Sequence, residues 1–331
     1  MTNLTVETTA HAKVPTAGLL YGVLLVARHE FRVRLRTGRW RWLLGVWVTV
    51  VAVFTALLHL ALVTTETAVG TPLFGGLMLF VLALVLIVSP ALTAQSVNGD
   101  RERGTLATLQ VTRLSPVQIA AGKLVAAWGV GLAALALTVP FVLWAVVQGG
   151  VGVVRAVAVL AVVALLIGVV CAVSQALSAL LSRSITSALM SYVVMFALTI
   201  GTLIAFGLSV PLTTETVQMT DNQGNTWEEQ RAHTERVWWL LAPNPFVVLA
   251  DAAPKLPPPK PYENRPLDPL GEVGRGVRNI RGGANAEGRA REPVWPYGLG
   301  FDLLLGAGGL WVTTRRLRAP ARTLAEGVRV A

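Results

Sequence analysis

Five stretches of this chain contain no Asp, Glu, Lys or Arg: Trp42–Thr65, Thr67–Gly99, Leu124–Val154, Ala156–Ser182 and Ser184–Thr214. Each exceeds the roughly 20 apolar residues needed to cross a bilayer core of about 30 Å. A sixth stretch, 293–314, holds a single acid, Asp302. Backbone amides in lipid must be satisfied within their own segment, so such runs form helices. The expected fold is therefore an all-α integral membrane protein with six transmembrane helices, five within residues 42–210 and the sixth over 293–315. Composition agrees: 53% of the residues are hydrophobic and 14% charged, against about 25% charged in a soluble domain. The second to fifth runs overshoot the bilayer by a turn or two.

The net charge of +10 follows this topology. With the N-terminus in the cytoplasm, the cytoplasmic segments hold 17 Lys and Arg against five acids, and the rest of the chain holds 11 against 13. That is the positive-inside pattern, and with an even number of spans it puts both termini in the cytoplasm. Arg155 is the basic residue of the short outer loops. The basic charge reads as topology and contact with anionic membrane lipid, with no nucleic-acid partner. The expected location is the cell (plasma or inner) membrane.

Residues 1–16 read as a disordered cytoplasmic tail. Met1–Lys13 is polar and carries Glu7, unlike a cleavable signal. Residues 17–41 read as an amphipathic interfacial helix. Leu20, Leu24, Ala27, Phe31 and Leu35 form one apolar stripe, and Arg28, Arg32, Arg34, Arg36 and Arg39 crowd the other faces. FRVRLR alternates as a strand would, but an isolated strand beside a bilayer has no backbone partner. Trp40 and Trp42 fall at headgroup depth.

Residues 211–292 form the long outer segment. Its first part is polar. Its middle, 237–253, is apolar but broken by Pro243 and Pro245, too short to span on either side, and reads as two short re-entrant or interfacial helices anchored by Trp238 and Trp239. Residues 254–292 are rich in Pro, Gly and charge and read as a mobile loop. Residues 316–331 form a cytoplasmic tail. Pro140 is expected to kink the third span. The single cysteine, Cys171, is expected to be a packing residue. His11, His29, His59 and His233 are scattered and suggest no metal site; His59 reads as an interfacial or helix-contact residue. Asp302, about two turns into the last span, reads as a group at the wet outer mouth in preference to a proton relay.

Between the second and third spans lies NGDRERGTLATLQVTRLSPVQIAAGK, Asn98 to Lys123. Asp100 and Glu102 suit a helix start, and Thr105, Leu106 and Leu109 suit a short helix. Ser115 and Pro116 can open the third span as cap and first helical residue. The block reads either as a helix lying across the inner membrane face or as a solvated loop with a stray turn.

This block resembles the cytoplasmic loop of ABC-2-type permeases, the membrane subunits of ABC exporters. The resemblance rests on Glu102, Gly104-Thr105-Leu106, Leu109, Ser115-Pro116 and Gly122-Lys123, and on the N-terminal basic helix, the six spans and Asn244-Pro245-Phe246 before the last span. It covers most of the chain. It implies an ABC-2-type (type V exporter-like) transmembrane domain. The 98–122 loop would be a coupling helix that docks on a separate ATPase through Glu102, Arg103, Thr105, Leu106 and Leu109. The N-terminal helix would be a second contact, through Arg28, Phe31, Arg32 and Leu35. Trp238, Trp239, Asn244, Pro245 and Phe246 would form an outer gate. The partners implied are two ATPase copies and a second permease, identical or different.

The chain is not expected to be an enzyme. A phosphate-cradling loop reads G-x-x-x-x-G-K-[ST]; the nearest text, VQIAAGKL, has Val117 for the first glycine and Leu124 for the Ser or Thr. No cofactor is expected on this chain, and ATP with Mg would sit on the partner ATPase. The alternatives are an ion-coupled secondary transporter, for which the spans offer few ionisable groups, and a non-transporting membrane scaffold.

Overall fold

The computed structural model describes residues 18–36, 39–64, 69–105, 114–220, 226–256, 267–283 and 292–318. In chain order the helices are α1 (Leu19–Arg36), α2 (Arg39–Val63), α3 (Gly70–Thr93), the five-residue α4 (Asn98–Glu102), α5 (Pro116–Val147), α6 (Val153–Leu180), α7 (Ser184–Phe196) and α8 (Thr202–Ser209). A π-helical segment, Ala197–Gly201, joins α7 to α8. An antiparallel hairpin follows, β1 (Thr214–Thr220) with β2 (Thr226–Ala232). The chain then forms α9 (Pro245–Ala252), α10 (Pro269–Gly282) and α11 (Trp295–Arg316). Five helical stretches are long and apolar enough to cross a membrane: Trp40–Val63, Gly70–Glu102, Pro116–Val147, Val153–Leu180 and Ser184–Thr213. They coincide with the five charge-free runs. α11 is 22 residues long but carries Asp302, Arg315 and Arg316.

The start of α5 is written into its sequence. Ser115 Oγ accepts from the Gln118 amide (3.3 Å), Gln118 Oε1 accepts from the Ser115 amide (2.7 Å), and Pro116 takes the first helical position. This is the reciprocal cap expected of such a pair. The helix has 32 residues, about 48 Å at 1.5 Å per residue. Its first turns therefore project beyond a 30 Å core, and α1 packs against them. Contacts climb both helices in the same direction: Gly22 meets Gln118, Val26 meets Gly122 and Phe31 meets Gly129. The buried face of α1 is Gly22, Val26 and Ala27, whereas Leu20 and Leu24 are exposed. The expected stripe is thus rotated, because the glycines of α5 let a narrow face of α1 approach closely.

The main core lies among α2, α3, α5 and α6, with Leu73, Leu77, Val81, Val163 and Ile167 fully buried. α11 runs along α6. Gly309 brings the two backbones together: a Cβ there would lie 2.8 Å from the Ala172 carbonyl oxygen. At the outer end a Cβ on Gly298 would lie 1.9 Å from the Ala242 carbonyl oxygen. His59 meets Trp144 edge-on at 5.9 Å, a helix contact, and Cys171 is buried.

Four expectations are corrected. The fold is not all-α, because the polar start of the outer segment pairs as β1–β2. The region expected to be a mobile loop contains α10. Its few apolar residues suffice, since Leu270, Gly274 and Val277 fall at helical spacing and are buried, and its arginines find acids elsewhere. Arg155 is no free loop charge: it is 4% exposed. Asp302 does not sit at a wet mouth, being 1% exposed.

Gly298→Ala is expected to destabilise the detergent-solubilised chain by about 1–3 kcal/mol through overpacking, read as a lowered thermal midpoint. Gly308→Ala, on the same helix where a Cβ would meet nothing within 4 Å, is expected to leave it unchanged or slightly raised.

Candidate functional site

The end of α3 turns sharply into α4, and this turn is anchored from below. The amides of Val97 and Asn98 both donate to Ser178 Oγ of α6, at 3.2 and 3.1 Å. Asp100 then points inward. One of its oxygens pairs with Arg103 (3.0 Å) and the other with Lys123 of α5, which also pairs with Glu30 of α1. Lys123 is 2% exposed. A buried ammonium needs such partners, since an unpaired charge away from water is costly.

The rest of α4 holds the opposite side. Arg101 donates to Asn98 Oδ1 (2.9 Å) and to the Leu181 carbonyl (3.1 Å). Glu102 Oε1 accepts from the Ser184 amide (3.2 Å) and hydroxyl (2.7 Å) at the start of α7. Gly104, with φ +71°, ends the helix in a conformation that favours glycine. Thr105 Oγ1 reaches back to the Asp100 carbonyl at 3.3 Å. Five residues of helix thus join α1, α5, α6 and α7.

Of the residues singled out in the block, Glu102, Arg103 and Thr105 are exposed at the inner face. Leu106 and Leu109 lie outside the described residues, as does the side chain of Leu35. On α1, Arg28 and Arg32 are exposed and Phe31 is half-buried against Gly129. Sequence reasoning missed Glu30, Asp100 and Lys123 as a cluster, and Ser178 and Ser184 as its anchors. The available signal was Lys123 itself, a lone cation opening an apolar run.

A second cluster closes the outer end. Asp251 of α9 pairs with Arg278 of α10 through one oxygen, and through the other accepts from the amides of Val294 (2.6 Å) and Trp295 (2.8 Å). Those amides are unsatisfied donors at the start of α11. Arg155, opening α6, pairs with Asp268 at 2.7 Å. Asn244 and Pro245 start α9: Asn244 Oδ1 accepts from the Phe246 amide (2.9 Å). Asn244 Nδ2 donates to the Thr199 carbonyl (2.7 Å) and Thr202 Oγ1 (2.9 Å), at the π segment. Trp238 meets Tyr297 edge-on, and the Arg281 guanidinium lies over both rings at 4.6 and 5.0 Å. Trp239 is exposed. At the base of the hairpin, His233 lies between Glu235 (2.7 Å) and Glu215 (3.6 Å), and Arg236 pairs with Glu215 (2.7 Å).

Lys123→Met leaves two carboxylates facing each other without their cation. It is expected to cost about 3–5 kcal/mol, read by thermal unfolding, and the triple change Glu30→Gln, Asp100→Asn, Lys123→Met is expected to recover most of the loss. Outside, the bond from Arg236 and its charge hold the Glu215 carboxyl below the usual carboxylate range. The pairing therefore stabilises the hairpin base above about pH 4, and that stabilisation is lost as pH falls through the lower, folded value. Amide exchange in β1 and β2 is expected to quicken on acidification, and Arg236→Gln to remove that dependence.

A comparison with curated proteins found no match. The family described as "ABC-2 family transporter protein" matches residues 53–243, more than half of the chain and most of its apolar helices. Members are membrane components of transport systems that normally work with an ATPase subunit. With its apolar spanning helices, this chain belongs to the ABC-2 transporter family as a multi-pass membrane permease.

Proposed function

We propose that the chain is the permease subunit of an ATP-driven ABC exporter, with α11 as its sixth span and both termini in the cytoplasm. In this reading the 98–122 loop is the coupling element, and α1 is an amphipathic interfacial helix that forms a second contact. An ATPase in two copies docks on Glu102, Arg103, Thr105, Leu106 and Leu109, and a second permease copy completes the path. ATP and Mg bind to the ATPase. The observation that carries this reading is the attachment of α4. A push on a free loop would be absorbed by the loop. Here Asp100 grips Lys123, Glu102 grips Ser184, and Ser178 grips the turn, so displacement of the block is passed to α5, α6 and α7 together.

At the other end, α9 and α10 cap the helix ends, with Trp238, Trp239, Asn244, Pro245 and Phe246 as the outer gate. Cargo leaving outward requires that cap to move. The Asp251–Arg278 and Arg155–Asp268 pairs are the bonds that resist such movement. Outward direction is an analogy with the family.

The test is affinity capture of the tagged chain from native membranes, with bound proteins identified by mass spectrometry. An ATPase is expected with the parent chain and is expected to be lost with Glu102→Arg plus Leu106→Asp. An ATPase retained by the double variant would move the docking surface off this block. No ATPase under several mild detergents would remove the exporter reading.

A further inference from the structure

Asp302 lies seven residues into α11, and the cytoplasmic and outer ion clusters do not use it. It is 1% exposed, and neither carboxyl oxygen has a hydrogen-bond partner. Gly298 and Gly306 stand one turn before and after it on the same helix face. Both are buried, Gly298 against Ala242 and Val248, Gly306 against Val169 and Ala172. The carboxyl is therefore sealed into a seam where helix backbones approach closely.

None of the charged groups on the elements packed against α11 serves it. α6 and α11 run in the same direction, and Gly306 meets Val169, so Asp302 lies near Leu165 and Leu166. Arg155 of α6 is about ten residues, or roughly 15 Å, further out, and is held by Asp268. Lys123 of α5 is held at the cytoplasmic end by Glu30 and Asp100. Asp251 of α9, itself an acid, is occupied by Arg278 and two amides. The Cys171 thiol lines a cleft with Trp47, Val85 and Ala127, on the side of α6 away from α11. On α11 itself, Tyr297 stacks with Trp238, and Arg315 lies over Trp311.

An ionised carboxylate in such a place has neither water, nor counter-ion, nor donor, and its charge is relieved by taking up a proton. We propose that Asp302 is a proton-binding site: a neutral carboxylic acid while α6 and α11 are packed, and a carboxylate once the seam opens to water. On opening, the O–H bond breaks, its electron pair stays on the carboxyl oxygen, and the proton passes to water. On closing, the same proton count is taken up again. Each chain thus exchanges one proton with solvent per opening, whatever drives the opening. The inference stands on the burial of Asp302 and is independent of the exporter reading.

The test is infrared difference spectroscopy of the purified full-length chain against Asp302→Asn. At neutral pH the parent is expected to show one carboxylic-acid C=O band that the variant lacks. A difference spectrum showing only carboxylate bands overturns the proposal. Thermal unfolding across pH gives a second reading. A buried acid binds its proton more tightly folded than unfolded, so stability falls as pH rises above the ordinary carboxylate range. That fall is expected in the parent and absent in Asp302→Asn; equal slopes overturn the proposal. If Asp302→Asn does not accumulate, Asp302→Leu replaces it, because a neutral buried group tolerates an apolar substitute. Failure of both variants to fold would mean that the site needs the charge, which also overturns the proposal.

Discussion

A lysine that cannot reach water sets the terms for the cytoplasmic half of this protein. Lys123 opens an apolar run and lies at the start of a helix longer than a bilayer is thick. Its ammonium must be answered by carboxylates from elsewhere, and the two that answer come from α1 and α4. Satisfying one charge thereby fixes the position of the N-terminal helix and of the loop between α3 and α5. The outer half repeats the logic with signs reversed. Asp251 is fully buried, and it collects a guanidinium and the two first amides of α11. In both cases the partners are distant in sequence, so the bond joins segments that hydrophobic packing alone would leave free to slide.

Small residues do the complementary work along the spans. Gly122 and Gly129 admit α1 to α5, and Gly306 and Gly309 admit α11 to α6. Apolar surfaces in lipid gain little from meeting each other, so close approach and specific polar bonds decide which helices associate. The same closeness leaves Asp302 without solvent.

Much of this architecture is readable from the chain before any coordinates. The charge-free runs locate the five spanning helices, because length and hydropathy are properties of single segments. The Ser115–Pro116 cap is likewise local. What escapes is whatever depends on two distant segments. The composition of 254–292 says that it cannot pack on its own, yet α10 packs because Asp251 and Leu270 each find a partner across the cap. The stripe on α1 points the right way only if its neighbour is lipid; the glycines of α5 turned it. The family resemblance rests on the order of elements, which is why it survives these errors of detail, and the docking role given to Glu102 and its neighbours rests on that resemblance.

The π segment between α7 and α8 bears on how this span tolerates change. A π turn holds one residue more than the α turn it replaces, so everything beyond Gly201 is turned by about 100° relative to an unbroken helix. The half-buried side of the span passes from Ser187, Ser191 and Met195 to Thr199, Thr202 and Phe206. There Asn244 bonds the Thr199 carbonyl and the Thr202 hydroxyl. Losing a single residue from 197–201 would therefore act as a rotation more than a shortening. It would swing Phe206 and the hairpin that follows toward lipid and leave Asn244 facing an apolar side chain. Along this span the count of residues sets the angular phase of the outer domain, and insertions or deletions there are harsher than any substitution of the same size.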